Sequence, residues 1–138
     1  MSGRGLALIV FAAAPCAAAS RIITADEAKG LVLIALAPHS DGVSLVLYKV
    51  APLSVASSDA FYGFQALRQN APAGASANVG FFAVDRRTGD VWNAVICEEH
   101  RSPELRRQQQ AVRKRIGLSD AQYKKLRSPG PMCESIPK

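Results

Sequence analysis

Three short constellations in the chain carry residue types that could do chemistry. Cys97-Glu98-Glu99-His100 has a C-x-x-H spacing. A structural zinc site closes a full tetrahedron of N and S ligands. Only Cys133 and His39 could join Cys97 and His100 after residue 19, and a disulfide would consume both thiols, so no metal ligand is expected. His39-Ser40-Asp41 has the letters of a catalytic triad. Triad members converge from separated positions, whereas consecutive turn residues point in different directions. Asp85 and Asp90 flank a hairpin turn beside Arg86 and Arg87. Paired carboxylates do acid–base work only where burial separates their pKa values, and a capped turn at an exposed tip is the expectation here. No P-loop, dinucleotide fingerprint or G-x-S-x-G elbow occurs. The chain therefore reads as a non-enzyme with no catalytic residue and no cofactor.

The elements that position these residues begin after an export signal. Arg4 precedes the apolar run Leu6–Ala14, Pro15 breaks it, and Ala17-Ala18-Ala19 offers an A-x-A cleavage site. The run is too short for the ~20 apolar residues that span a bilayer, so residues 1–19 read as a secretory signal peptide rather than an anchor. The positions before Cys16 lack the small-residue pattern of a lipidated cysteine. Cleavage would place the remaining chain in the periplasm or outside the cell, with no transmembrane segment. It would also leave two cysteines, Cys97 and Cys133, which in an oxidising compartment read as one disulfide. Closing that loop would restrict the unfolded chain by about 3.8 kcal/mol in the loop-entropy account.

Thr24-Ala25-Asp26-Glu27 is a capping box opening a buried helix that Pro38 ends. Val43–Val50 and Asp59–Leu67 read as strands, the second with a bulge at Gly63. Val79–Asp85 and Asp90–Cys97 flank a short turn in which Gly89 takes positive φ, a β-hairpin. Ser102-Pro103-Glu104 starts a helix to about Ile116, and Ser119–Gln122 is a second capping box. The expected fold class is α+β, an N-terminal helix packed on a 3–4-stranded antiparallel sheet followed by a C-terminal helical tail. The expected organisation is a signal peptide (1–19), a small α+β domain (20–100) and a basic tail (101–138) tethered by the disulfide.

A helix opening Ile23-Thr24-Ala25-Asp26-Glu27-Ala28, two strands and a closing hairpin over Phe82–Trp92 resemble the PepSY-type and cystatin-like α+β modules of bacterial exported proteins. The resemblance covers Arg21–Cys97 and leaves the tail unmatched. It implies a helix across a short antiparallel sheet, peptidase inhibition or envelope binding, and no catalytic residues.

Charge is the remaining signal. The chain has 17 Lys+Arg against 11 Asp+Glu, a net +6. Residues 20–100 hold six bases and eight acids, whereas residues 101–127 hold nine bases and two acids. On the longer tail helix Leu105, Val112 and Ile116 form an apolar stripe that would dock, leaving Arg106, Arg107, Arg113 and Lys114 to project outward, with Lys124 and Lys125 on the following helix. Such a surface concentrates anionic partners. An acidic protein or an anionic envelope component is the expected partner, and export argues against nucleic acid. The function this favours is an exported, non-catalytic binding or inhibitory module. The rivals are a structural envelope protein whose tail binds anionic lipid or cell wall, and a small hydrolase with an unrecognised site.

Two outcomes follow for protein recovered from its native host. Intact-mass analysis should show loss of Met1–Ala19, and non-reducing peptide mapping should link the peptides carrying Cys97 and Cys133. Retention of the leader, or two freely alkylated thiols, would refute the respective reading.

Overall fold

A computed structural model describes residues 22–37, 39–48, 59–127 and 130. The signal segment, Lys49–Val50 and Cys133 lie outside the described residues. Helix α1 (Ala25–Leu36) is followed by strands β1 (Val43–Tyr48), β2 (Phe61–Arg68), β3 (Asn78–Asp85), β4 (Val91–Asn93) and β5 (Glu98–Glu99), then by helices α2 (Pro103–Arg115) and α3 (Asp120–Leu126). The protein is α+β, as expected. Its strands form one antiparallel sheet in chain order, β1-β2-β3-β4-β5. Among the described residues no helix is long and apolar enough to cross a membrane.

Local chemistry sets the helix ends. The Glu27 amide donates to Thr24 Oγ1 at 3.2 Å, and the Thr24 amide donates to Glu27 Oε2 at 2.8 Å, so two amides with no partner inside the helix are satisfied reciprocally. Ser119 and Gln122 repeat the device at α3. At α2 the Ser102 hydroxyl accepts from the Leu105 amide, with Pro103 in the first turn.

The sheet alternates as strands must. Phe64 and Ala66 of β2, Phe82 and Val84 of β3 and Val91 of β4 face the helices. There they meet Ile23, Leu31, Val32 and Leu36 at the α1 end and Leu105 and Ile116 from α2. Phe61, Ala83, Trp92 and Ala94 form a smaller cluster of their own. The stripe expected on α2 is therefore built into the main core: Leu105 and Ile116 are buried and Val112 is half-buried.

The sheet has five strands rather than three or four, because the second arm of the hairpin does not run to Cys97. It stops at Asn93, whose Oδ1 accepts from the amides of Val95 and Ile96 at 3.0 and 3.3 Å. A side-chain acceptor aimed at amides two and three residues ahead replaces the strand ladder with a turn. The chain then returns as β5, pairing Asn93 with Glu98 and Trp92 with Glu99. The bulge expected at Gly63 is also displaced. Gly63 pairs in register with Ala83, and the slip falls between Ala66 and Leu67, where β3 skips one residue between Gly80 and Asn78.

The hairpin turn closes as expected, with Gly89 at φ 74°. A Cβ at Gly89 would lie 3.3 Å from Leu31 Cδ1. Left-handed backbone costs a side-chain-bearing residue about 1–2 kcal/mol. Gly89→Ala should therefore lower unfolding free energy by about that much, with more added if Leu31 cannot yield. Urea denaturation at neutral pH measures it, and an unchanged midpoint would contradict the turn geometry.

Candidate functional site

The turn 85–90 was expected to be an exposed, capped tip. It is capped, but it is buried: Asp85 is 0 %, Thr88 0 % and Asp90 1 % exposed. The reason is that both long helices pack over it, Leu31 of α1 against Gly89 and Gln109 of α2 against its carbonyl. Desolvating a carboxylate is costly unless donors surround it, and each acid here has its own set. Asp85 Oδ1 accepts from the Arg87 amide at 2.8 Å, and its Oδ2 pairs with Arg87 Nη2 at 3.2 Å. Asp90 Oδ1 accepts from Arg113 Nη2 at 2.6 Å and from the Tyr123 hydroxyl at 3.0 Å, while its Oδ2 accepts from the Thr88 hydroxyl at 3.0 Å. Burial pushes the Asp90 carboxyl up, opposed chiefly by the Arg113 charge. Burial, then the Asp90 charge, pushes the Tyr123 hydroxyl up as well.

Backbone groups of the turn are tied as well. Gln109 Nε2 donates to the Gly89 carbonyl at 2.9 Å, and Arg113 Nε donates to the Thr88 carbonyl at 2.7 Å. The Arg86 amide donates to the Ala60 carbonyl, and the Ile23 amide donates to the Arg86 carbonyl, both at 2.9 Å. The Arg86 guanidinium lies 4.8 Å from the Tyr62 ring centroid and donates to the Asp59 carbonyl.

Above this clamp lies a groove of about 260 Å³. Arg101, Arg106, Arg113 and Arg127 line it, with Glu99 and Tyr123 between them. The Arg113 guanidinium stacks on the Tyr123 ring, 3.7 Å from its centroid. Glu99 is shared by Arg101, at 2.6 Å, and Arg127. Arg106 has no ion-pair partner among the described residues. Guanidinium forks bind planar oxyanions in two-point fashion, and three of the four arginines here are already taken by Glu99 and Asp90.

The cations expected to form a partner surface divide. Arg106 lines the groove. Lys114, Lys124 and Lys125 are exposed and, among the described residues, without an acid. Arg107 is exposed but pairs with Glu104 one turn earlier. Arg113 does not project outward: it turns under the groove onto Asp90 with its side chain only 14 % exposed. Arg115 is likewise occupied, pairing with Glu27 of α1 at 2.6 Å. Gln109 and Tyr123, both essential to the clamp, were not singled out from the sequence. Gln109 lies on the same helical stripe as Leu105, Val112 and Ile116 and is buried, so the spacing pointed to it although its polarity did not.

Cys97 is disulfide-bonded, so its sulfur is no thiolate ligand; Cys133 lies outside the described residues. His100 packs on Phe82 at 5.4 Å, and burial holds its imidazole below the usual range. His39, Ser40 and Asp41 form a surface turn closed by bonds from the His39 amide to Leu36 and from the Val43 amide to Ser40. Among the described residues no group of three or more His, Cys, Asp or Glu could hold a metal ion.

No protein-family model matches the chain, and no curated protein matches it. Among solved structures it is similar to a chain in a type VI secretion system effector-immunity complex from Pseudomonas protegens. The two share 26% identity with a TM-score of 0.56, over 81% of this chain and 91% of that one.

Replacing Arg113 with Leu would leave Asp90 buried without its cation, a change that costs about 3–5 kcal/mol at neutral pH. Because the Asp90 carboxyl is raised above its ordinary value, a neutral carboxyl becomes available as pH falls through that raised value. The deficit of Arg113→Leu against wild type should therefore shrink on acidification. Urea unfolding at pH 7 and pH 4 tests both points. A deficit that grows at low pH would contradict the assignment.

Proposed function

We propose that this chain is a non-catalytic binding protein that captures a protein partner, acting as the immunity member of an effector-immunity pair. The carrying observation is its likeness, over most of both chains, to a chain of such a complex. The chemistry of the buried turn supports the same reading. Asp85 and Asp90 are saturated by donors from their own chain, which suits a scaffold better than a proton-transfer pair.

The partner would present carboxylates. Five of the nine bases between residues 101 and 127 are held by acids of the same chain. Arg106, Lys114, Lys124 and Lys125 remain to meet another molecule, and Arg106 opens on the groove. The export signal read in residues 1–19 would put the encounter in the periplasm.

The natural probe is the protein encoded beside this chain in its source genome. The full chain should bind it and relieve its toxicity on co-expression. Exposed charges are screened within about 8 Å at physiological ionic strength, so affinity should fall as salt rises. Changing Arg106, Lys114, Lys124 and Lys125 together to Gln should slow association about tenfold at low salt, with a smaller effect on dissociation and the melting temperature retained. Surface plasmon resonance reads both rates. Failure of the wild-type chain to bind or protect overturns the reading, and equal association by the variant overturns the acidic partner.

A further inference from the structure

The loop between β4 and β5 departs from ordinary turn chemistry. Tight hairpin connections favour Gly, Asn and Asp, which accept turn geometry and water. This one presents Val95 and Ile96, 68 % and 63 % exposed. Among the described residues no large apolar side chain is more exposed. The next residue, Cys97, takes φ 56° without being glycine, a conformation that costs energy and persists only where the surroundings impose it.

The surroundings do impose it. Asn93 Oδ1 holds the Val95 and Ile96 amides. The Ala94 amide donates to the Phe81 carbonyl at 2.8 Å, and Ala94 is buried. Beyond the loop the His100 amide donates to the Val91 carbonyl at 2.8 Å, and Cys97 is disulfide-bonded. Two apolar side chains thus stand on a base tied at both ends. Local rules broken at such cost are expected at functional positions.

What lies beside the loop defines what it fits. Ile96 borders a groove of about 410 Å³ with Glu98, Glu99, His100 and Arg101. Glu99 and Arg101 also line the arginine groove, so the apolar tip and the uncommitted Arg106 belong to one continuous surface. A central apolar anchor bordered by charged groups is the anatomy of a protein-binding hot spot. A fixed backbone lowers the entropy lost on docking.

We propose that Val95 and Ile96 are an apolar knob that enters a concave apolar pocket of the protein partner, whose rim carries a carboxylate facing Arg106. The inference rests on the protein-partner reading above. Two side chains of this size are too little to hold a chain on a lipid surface, whereas they fill a pocket.

The experiment uses the full oxidised chain and the protein encoded beside it. Val95→Ser with Ile96→Ser should weaken binding about tenfold or more, chiefly through faster dissociation, as expected for a central apolar contact. The melting temperature should stay within about 2 °C, because both side chains already face water. The charge variant of Arg106, Lys114, Lys124 and Lys125 loses affinity through association instead, so the two surfaces are read separately. Wild type that binds with the double-Ser variant undiminished overturns the knob and leaves the partner reading standing. Wild type that does not bind overturns the partner reading and the knob with it. Sedimentation of the free chain supplies the other arm: self-association that the double-Ser change abolishes would make a second copy the occupant and overturn the proposal.

Discussion

Asp90 is a buried carboxylate in a hairpin turn, and the packing of the C-terminal half follows from the need to keep it solvated by protein. Water cannot reach it, so donors must come from elsewhere in the chain. Thr88 serves from within the turn, Arg113 from α2 and Tyr123 from α3. Each donor fixes the element that carries it. Arg113 also takes the Thr88 carbonyl and stacks on Tyr123, so one side chain sets the rotation of α2, the placement of α3 and the closure of the turn. The apolar contacts of Leu105 and Ile116 supply adhesion, but adhesion of that kind is non-directional.

The same logic explains where the charge went. Residues 20–100 carry two more acids than bases, and the segment 101–127 carries seven more bases than acids. The imbalance drives docking: Glu27, Asp90 and Glu99 of the body receive Arg115, Arg113, Arg101 and Arg127. The pairs differ in value. Arg107 with Glu104 is a surface pair on one helix, and such pairs contribute little. Arg113 with Asp90 is enclosed, and losing either member strands the other. The tail's basicity is thus partly internal bookkeeping, and only the unmatched remainder can serve a partner.

Local signals were legible in the sequence because they need no tertiary context. The boxes Thr24–Glu27 and Ser119–Gln122, the Ser102-Pro103 start and the left-handed Gly89 all occur as read. So do the α+β class and the apolar stripe of α2. The exposed tip was misread because burial of a turn rich in Asp, Arg and Thr depends on helices twenty or more residues distant arriving over it. Arg113 was read outward for the same reason: its helical position is compatible with solvent until Asp90 is known to lie beneath. The extra strand turned on one atom, Asn93 Oδ1, whose choice of the Val95 and Ile96 amides over solvent no apolar alternation encodes.

The clamp also bears on recognition. An apolar replacement of the Asp90–Arg113 pair could hold α2 by packing alone, and such replacements are often neutral or stabilising in other proteins. The ion pair and its hydrogen bonds are directional, and they tie the rotation of α2 to the turn. That rotation decides whether Arg106 opens on the groove it shares with Arg101, Arg127 and Tyr123. The groove in turn abuts the loop of Val95 and Ile96 through Glu99 and Arg101. A surface with apolar and cationic parts gains affinity only if a partner can meet both at once, because any search for the right arrangement subtracts from the binding free energy. Burying a carboxylate at the end of β3–β4 is therefore an expensive way to fold and an effective way to hold that surface in one geometry.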